Sequence, residues 1–162
     1  MKLSDGVEWA VHCCTVLAFV PPDTAVPAAK LAEFHGVPGA YLAKHLQALS
    51  RDGIVESVPG PRGGYRLARP ASDITLWDIV AAVDGTEPAF RCAEIRQRGP
   101  AALNAREYKL PCSITRAMHR AEAAYRAELK AQTIADLVQE LAVSVHPKSL
   151  EKGAVWLQEV LR

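Results

Sequence analysis

The chain has 162 residues, 49% of them hydrophobic, with 19 Lys/Arg against 18 Asp/Glu for a net charge of +1. That profile supplies a real core and excludes a disordered polyelectrolyte, and its four cysteines are too few for a disulfide framework in a reducing compartment. No apolar run approaches the ~20 residues of a membrane span, and MKLSDGVEW lacks a secretory pattern, so a cytoplasmic, non-membrane protein is expected.

The first predicted helix runs from about Ser4 to Phe19, with Ser4 or Asp5 as N-cap and VPPD at 20–23 as its stop. Val7, Ala10, Val11, Cys14 and Leu17 form its core stripe. Glu8, His12 and Thr15 fall on a neighbouring face, with Trp9 beside Glu8. Cys13 and Cys14 read as buried packing residues.

Residues 26–55 predict two short helices. Pro27 opens the first, Leu31, Ala32 and Phe34 turn inward, and Gly36 ends it in the left-handed conformation. Pro38 opens the second, in which Leu42, Leu46 and Leu49 share one face while Tyr41, Lys44, His45 and Ala48 share the other. This is a helix-turn-helix pattern with a basic outer face, although an ordinary helical hairpin has the same periodicity.

Two extended pieces follow, Ile54–Val58 and Tyr65–Ala68, around the turn PGPRGG. Arg62 stands at the tip, with Arg66 and Arg69 on the return strand. Residues 27–70 carry six Lys/Arg and three Asp/Glu, a basic segment suited to a polyanion. A basic hairpin directly after a helix-turn-helix is the layout of a winged helix, which reads a major groove with its second helix and reaches phosphates with its wing. The duplex partner expected is double-stranded DNA with a palindromic operator.

SDITLWDIVAAVDG predicts a capped helix ended by Gly85, with Leu76, Ile79, Val80 and Val83 inward. Residues 86–111 lack periodicity and, with Pro88, Gly99, Pro100 and Pro111, read as a long loop bearing Cys92 and leading to Cys112, of a length that is usually functional or disordered. From Ser113 to about Leu141 the apolar spacing predicts one long helix, with Ile114, Ala117, Met118, Ala121, Tyr125 and Leu129 suited to pairing with a second copy. Residues 149–162 predict a short terminal helix packed through Val155, Trp156 and Val160. His35, His119 and His146 show no companions that mark a site.

The expected organisation is a mainly α chain with a small β-hairpin wing. A winged helix-turn-helix domain covers 1–85, a cysteine-bearing cofactor loop 86–112, a dimerisation helix 113–141 and a tail 142–162. An enzyme needs a nucleophile–base pair or a phosphate-cradling loop. PGPRGGY lies between strands rather than at a helix N-terminus, so it is no phosphate loop, and the chain is not read as an enzyme.

YLAKHLQALSRDGIVES and GPRGGYRLARP, in the order helix, reader, wing, ITLWDIVAAVDG, cysteine loop and long helix, resemble the Rrf-type winged-helix regulators that include IscR and NsrR. The resemblance covers essentially the whole chain. It implies a homodimeric transcription factor, a repressor by class, with Tyr41, Lys44, His45 and Arg51 at or near DNA and Arg62 in the wing. Cluster-binding members usually present three cysteines in the loop, whereas only Cys92 and Cys112 stand here. GVEWAVHCC and the two-cysteine loop look most like the redox-sensing RsrR type. That resemblance implies a [2Fe-2S] cluster held by Cys92 and Cys112 of one chain and Glu8 and His12 of the other, with Trp9 as a redox relay. Glu8 and His12, four apart, project from one helical face and suit that role. Replacing thiolate by imidazole reduces negative charge and would raise the potential, as in Rieske centres. An exposed Glu–His pair is also an ordinary surface feature, so a cluster-free repressor answering to thiol oxidation, zinc or a small ligand stays as the alternative.

Overall fold

The computed structural model describes residues 3–162, which divide into two units. One comprises Thr86–Glu128, and the other comprises residues 3–85 together with Leu129 onward.

The larger unit is a winged helix-turn-helix. Helix α1 (Asp5–Leu17) leads to α2 (Ala28–His35) and α3 (Gly39–Arg51), then to strands β1 (Val55–Val58) and β2 (Gly64–Leu67), and to α4 (Leu76–Asp84). Ser4 sits at the N-cap of α1, but its side chain does not cap. Its backbone N–H instead donates to Asp84 at 2.9 Å, tying the start of α1 to the end of α4. Gly36 ends α2 at φ 64°, the left-handed conformation that lets the turn to α3 close. Leu42, Leu46 and Leu49 are fully buried along α3, against Leu17 of α1, Leu31 of α2 and Ile79 of α4 in one core. Each such leucine contributes about 1.5–3 kcal/mol by leaving water. Helix α1 is the central post, packed on α2, α3, α4 and α6 (Ile134–Ser144).

The wing pairs Val55 with Leu67 and Val58 with Gly64, antiparallel. Its base is fixed by Val26, which exchanges backbone hydrogen bonds with Tyr65 at 2.9 and 2.8 Å. Gly64 permits this approach, since a Cβ there would stand 2.2 Å from the Val26 carbonyl oxygen.

The single helix expected from Ser113 to Leu141 is two. Helix α5 (Ser113–Ala131) stops before Thr133, which forms a reciprocal capping box with Asp136 and starts α6 afresh. Thr133 also bridges Thr75, and Ile134 N–H donates to Ile74 at 2.9 Å, so the chain breaks stride to pair with the segment ahead of α4. Ile134 is fully buried beneath. The terminal helix α7, Pro147–Val160, begins and ends two residues earlier than expected. Trp156 and Val160 pack on the core as read, but Val155 is half exposed. Phe34, expected to turn inward, is instead 38% exposed, with the Trp156 ring against it at a centroid distance of 4.5 Å.

In the smaller unit, short 3₁₀ turns at Ile95–Gln97 and Ala105–Glu107 precede α5. Glu122 is buried there, accepting from Arg126 Nε at 3.1 Å, while Arg126 Nη2 donates to the Thr86 carbonyl at 2.8 Å. Among the described residues no helix is long and apolar enough to cross a membrane.

Candidate functional site

On α3 the apolar face is spent on the core, which leaves Tyr41, Lys44, Gln47 and Arg51 exposed along the outer side. Tyr41 is 65% exposed. Gln47 is a polar outer-face position that the sequence reading missed. Two expectations for this helix are corrected. Ala48 is buried with the core rather than outward. His45 is half-buried against α1: its ring meets the Trp9 indole edge-on at 6.0 Å and fills the space above Gly6, where a Cβ would lie 2.3 Å from the imidazole. No local signal betrays this, because the space is supplied by a missing side chain on another helix.

The wing arginines differ in availability. Arg66 is engaged by Glu56 at 3.0 Å and by the Pro22 carbonyl at 3.0 Å, and Arg69 by Asp78 at 3.0 Å. Arg62 is exposed at the tip with no ion-pair partner among the described residues. One wing cation is therefore free to meet a polyanion, and two shape the protein.

Glu8 and His12 are both exposed on α1, one helical turn apart, with Trp9 half-buried beside them. Thr15, expected on the same face, is buried and donates its hydroxyl to the His12 carbonyl at 2.7 Å. A further histidine stands near: the His35 ring lies 5.4 Å from that of His12. Burial, aided by the charge of His12, pushes the His35 imidazole down to about 4, so it is neutral at physiological pH. Sequence separation concealed this pair. Cys13 and Cys14 are fully buried as expected, and burial pushes the Cys13 thiol up to about 12 and Cys14 higher still.

Cys92 is exposed and Cys112 half-buried. Both meet at Glu94. The Glu94 N–H donates to Cys92 Sγ at 3.4 Å, and its carboxylate accepts from the Cys112 backbone N–H. Cys112 stands just ahead of α5, where the N–H groups of Thr115 and Ile114, with Arg96 beyond, hold its thiol below the usual range. Among the described residues no three His, Cys, Asp or Glu side chains converge as a metal cage. The chain presents two two-donor sets, Glu8 with His12 and Cys92 with Cys112. Thiolate sulfur, imidazole nitrogen and carboxylate oxygen are donor types that iron–sulfur groups accept.

The family model Rrf2, described as iron-dependent transcriptional regulator, matches residues 3–140. The chain belongs to the Rrf2 family. This is a family of transcriptional regulators and not of enzymes. The putative HTH-type transcriptional regulator YwgB of Bacillus subtilis is 35% identical over 85 residues, 52% of this chain and 54% of YwgB. The chain thus spans about half the length of several curated relatives it matches. Among solved structures, T. potens IscR superposes with a TM-score of 0.66 at 24% identity, over 90% of this chain and 92% of that one. CymR (YrzC), the global cysteine regulator of B. subtilis, gives 0.64 at 22% identity, over 86% and 98%. These likenesses are of fold, a mainly helical winged helix-turn-helix with a two-stranded hairpin. Helix α7 lies beyond the residues that the family model matches.

Proposed function

We propose that this Rrf2 protein is a homodimeric regulator that binds a palindromic operator in double-stranded DNA and senses redox state through a [2Fe-2S] cluster, in the manner of the RsrR type. The observation that carries the reading is the pairing of donors. Glu8 and His12 are exposed one turn apart on α1, and Cys92 and Cys112 are gathered at Glu94. Each set supplies half of a four-ligand site, which a second chain completes. The exposed Ile114 and Met118 on α5 supply an apolar face for that second chain. When bound, the group supplies one-electron chemistry and needs no further cofactor.

The remaining roles fall to side chains. Tyr41, Lys44 and Arg51 meet DNA from α3 and Arg62 from the wing. His45 acts from inside, as the contact between α3 and α1. Glu8 and His12 would hold the group from α1, and Trp9 between them on that helix abuts His45, so a shift of α1 would reach the reading helix. That sequence assigns Trp9 its relay.

A second reading has one observation in its favour. The thiol of Cys112 is lowered by helix N–H groups, so a cluster-free regulator that answers to oxidation of Cys92 and Cys112 would use the same loop.

The test is visible absorption with iron and sulfide analysis on protein purified without air, as wild type, His12→Ala and Cys92→Ala. Equal iron and sulfide in a coloured dimer, lost or altered in both variants, supports the cluster. A colourless protein that rebinds no iron leaves the thiol reading. Mixing a Glu8→Ala/His12→Ala chain with a Cys92→Ala/Cys112→Ala chain restores one site per dimer if ligands cross between chains, and none if they do not.

A further inference from the structure

The loop between the two cysteines is folded on itself around one cation. Glu94 is the single non-glycine residue at positive φ among the described residues, 47°, a conformation kept only where neighbours over-determine it. They do. The turn brings the Glu94 carboxylate back to 3.7 Å from Cys92 Sγ, where it also accepts from Arg96 Nε at 2.7 Å. Arg96 then reaches across the loop: Nη2 donates to the Leu110 carbonyl at 2.8 Å, two residues before Cys112. Its guanidinium lies 4.8 Å over the Tyr108 ring. Tyr108 completes the knot, its hydroxyl donating to the Arg96 carbonyl at 2.7 Å and accepting from the Leu103 N–H at 3.0 Å. One side chain thus touches the start of the loop, its end and its middle.

We propose that Arg96 is a positioning residue that clasps the ends of the loop so that Cys92 and Cys112 present their sulfurs as a pair, and supplies the positive charge that pair requires. The inference rests on Cys92 and Cys112 being the cluster ligands. Its charge argument is direct. A Cys92 thiolate beside the Glu94 carboxylate would set two like charges together, and Arg96 is the cation hydrogen-bonded to that carboxylate, with Cys112 within reach of its charge. Lysine can replace the charge but not the planar fork that holds Glu94 and Leu110 at once.

Two readouts test it on the full-length protein, with thermal melting to confirm that each variant folds. The first is the reduction potential of the anaerobically purified protein. Arg96→Met is expected to lower it, because an added electron is less favourable beside an uncompensated carboxylate. Arg96→Lys should lie near wild type, and Glu94→Gln in the Arg96→Met chain should restore part of the loss. An unchanged potential in Arg96→Met at full iron content overturns the proposal while leaving the cluster in place.

The second readout needs no iron. Diamide converts the two thiols of iron-free protein to a Cys92–Cys112 disulfide and takes up their two hydrogens as the hydrazine, and mass spectrometry follows the loss. Cys13→Ser/Cys14→Ser removes the other thiols. Arg96→Met and Tyr108→Phe should each slow closure by about tenfold or more, and unchanged rates overturn the clasp. If wild type carries no iron at all, the cluster reading fails by itself and the closure rates alone decide the clasp.

Discussion

His45 of the reading helix packs edge-on against Trp9 of α1, ring centroids 6.0 Å apart, in space left by the missing side chain of Gly6. The contact joins the helix that presents Glu8 and His12 to the helix that presents Lys44 and Arg51. Gly6→Ala should therefore disturb both. The new Cβ would overlap the imidazole, and overpacking of this kind costs about 1–3 kcal/mol. Urea unfolding should show that loss, and DNA affinity should fall with it as α3 shifts.

Lys44 and Arg62 are predicted to act on DNA through charge. Replacing either by alanine should weaken binding to all duplexes alike and reduce the slope of log affinity against log salt by about 1. Arg66→Ala should behave differently. Its partners are Glu56 and the Pro22 carbonyl, so the wing loses support while the salt slope stays near wild type. Fluorescence anisotropy across a salt series separates the two.

Thiol labelling of the native, iron-free protein should reach Cys92 and Cys112 and spare Cys13 and Cys14. Burial holds the latter as un-ionised thiols, with Cys13 pushed up to about 12. Mass spectrometry after a short alkylation should find two modified cysteines, and four only in denaturant. Rapid labelling of all four would mean that α1 does not pack as described.

The start of α6 should be acid-sensitive. Hydrogen bonds from the Thr133 side chain and backbone hold the Asp136 carboxyl below its ordinary value. A carboxyl lowered on folding stabilises fully above the unfolded aspartate pKa, about 4, and that stability is lost as pH falls through the lowered folded value. Thr133→Ala should therefore be less stable than wild type near neutrality, with the gap closing in acid. A gap independent of pH would show that the cap acts through shape alone.

Trp156→Ala should cost about 2 kcal/mol, the worth of a partly buried aromatic and its ring contact. It uncovers Phe34 and leaves Gly153, whose α-carbon side lies close to the Phe34 ring, facing a gap. Differential scanning fluorimetry reads the loss. Ending the chain at Ser144, the last residue of α6, should cost at least as much, since α7 carries the tryptophan.

Much of this architecture could be read along the chain. The core of α3 follows from Leu42, Leu46 and Leu49, the stop of α2 from Gly36, and the wing from two extended runs around PGPRGG, because each depends on near neighbours. The break before α6 was harder. Gln132-Thr133 holds neither proline nor glycine, and the apolar spacing runs straight through it. Its only local mark is the Thr133–Asp136 capping pair, and the deciding contact is with Thr75, far back in the sequence. The same distance hid His35 from His12 and His45 from Gly6. In the cysteine loop the two thiols stood out at once, while the Arg96 and Tyr108 contacts between them did not, since irregular backbone has no period from which to infer a meeting.

The close pass of Gly64 beneath Val26 has a consequence for length. Because Val26 grips Tyr65 from both backbone groups, the base of the hairpin is pinned while the turn at 59–63 hangs free of it. Residues added in matched pairs there would carry Arg62 outward by about 3.3 Å for each pair, without stirring the helices below. On the proposed function, a regulator so built would be refitted to a wider or narrower operator by changing the span of its wing, leaving its other half as it was.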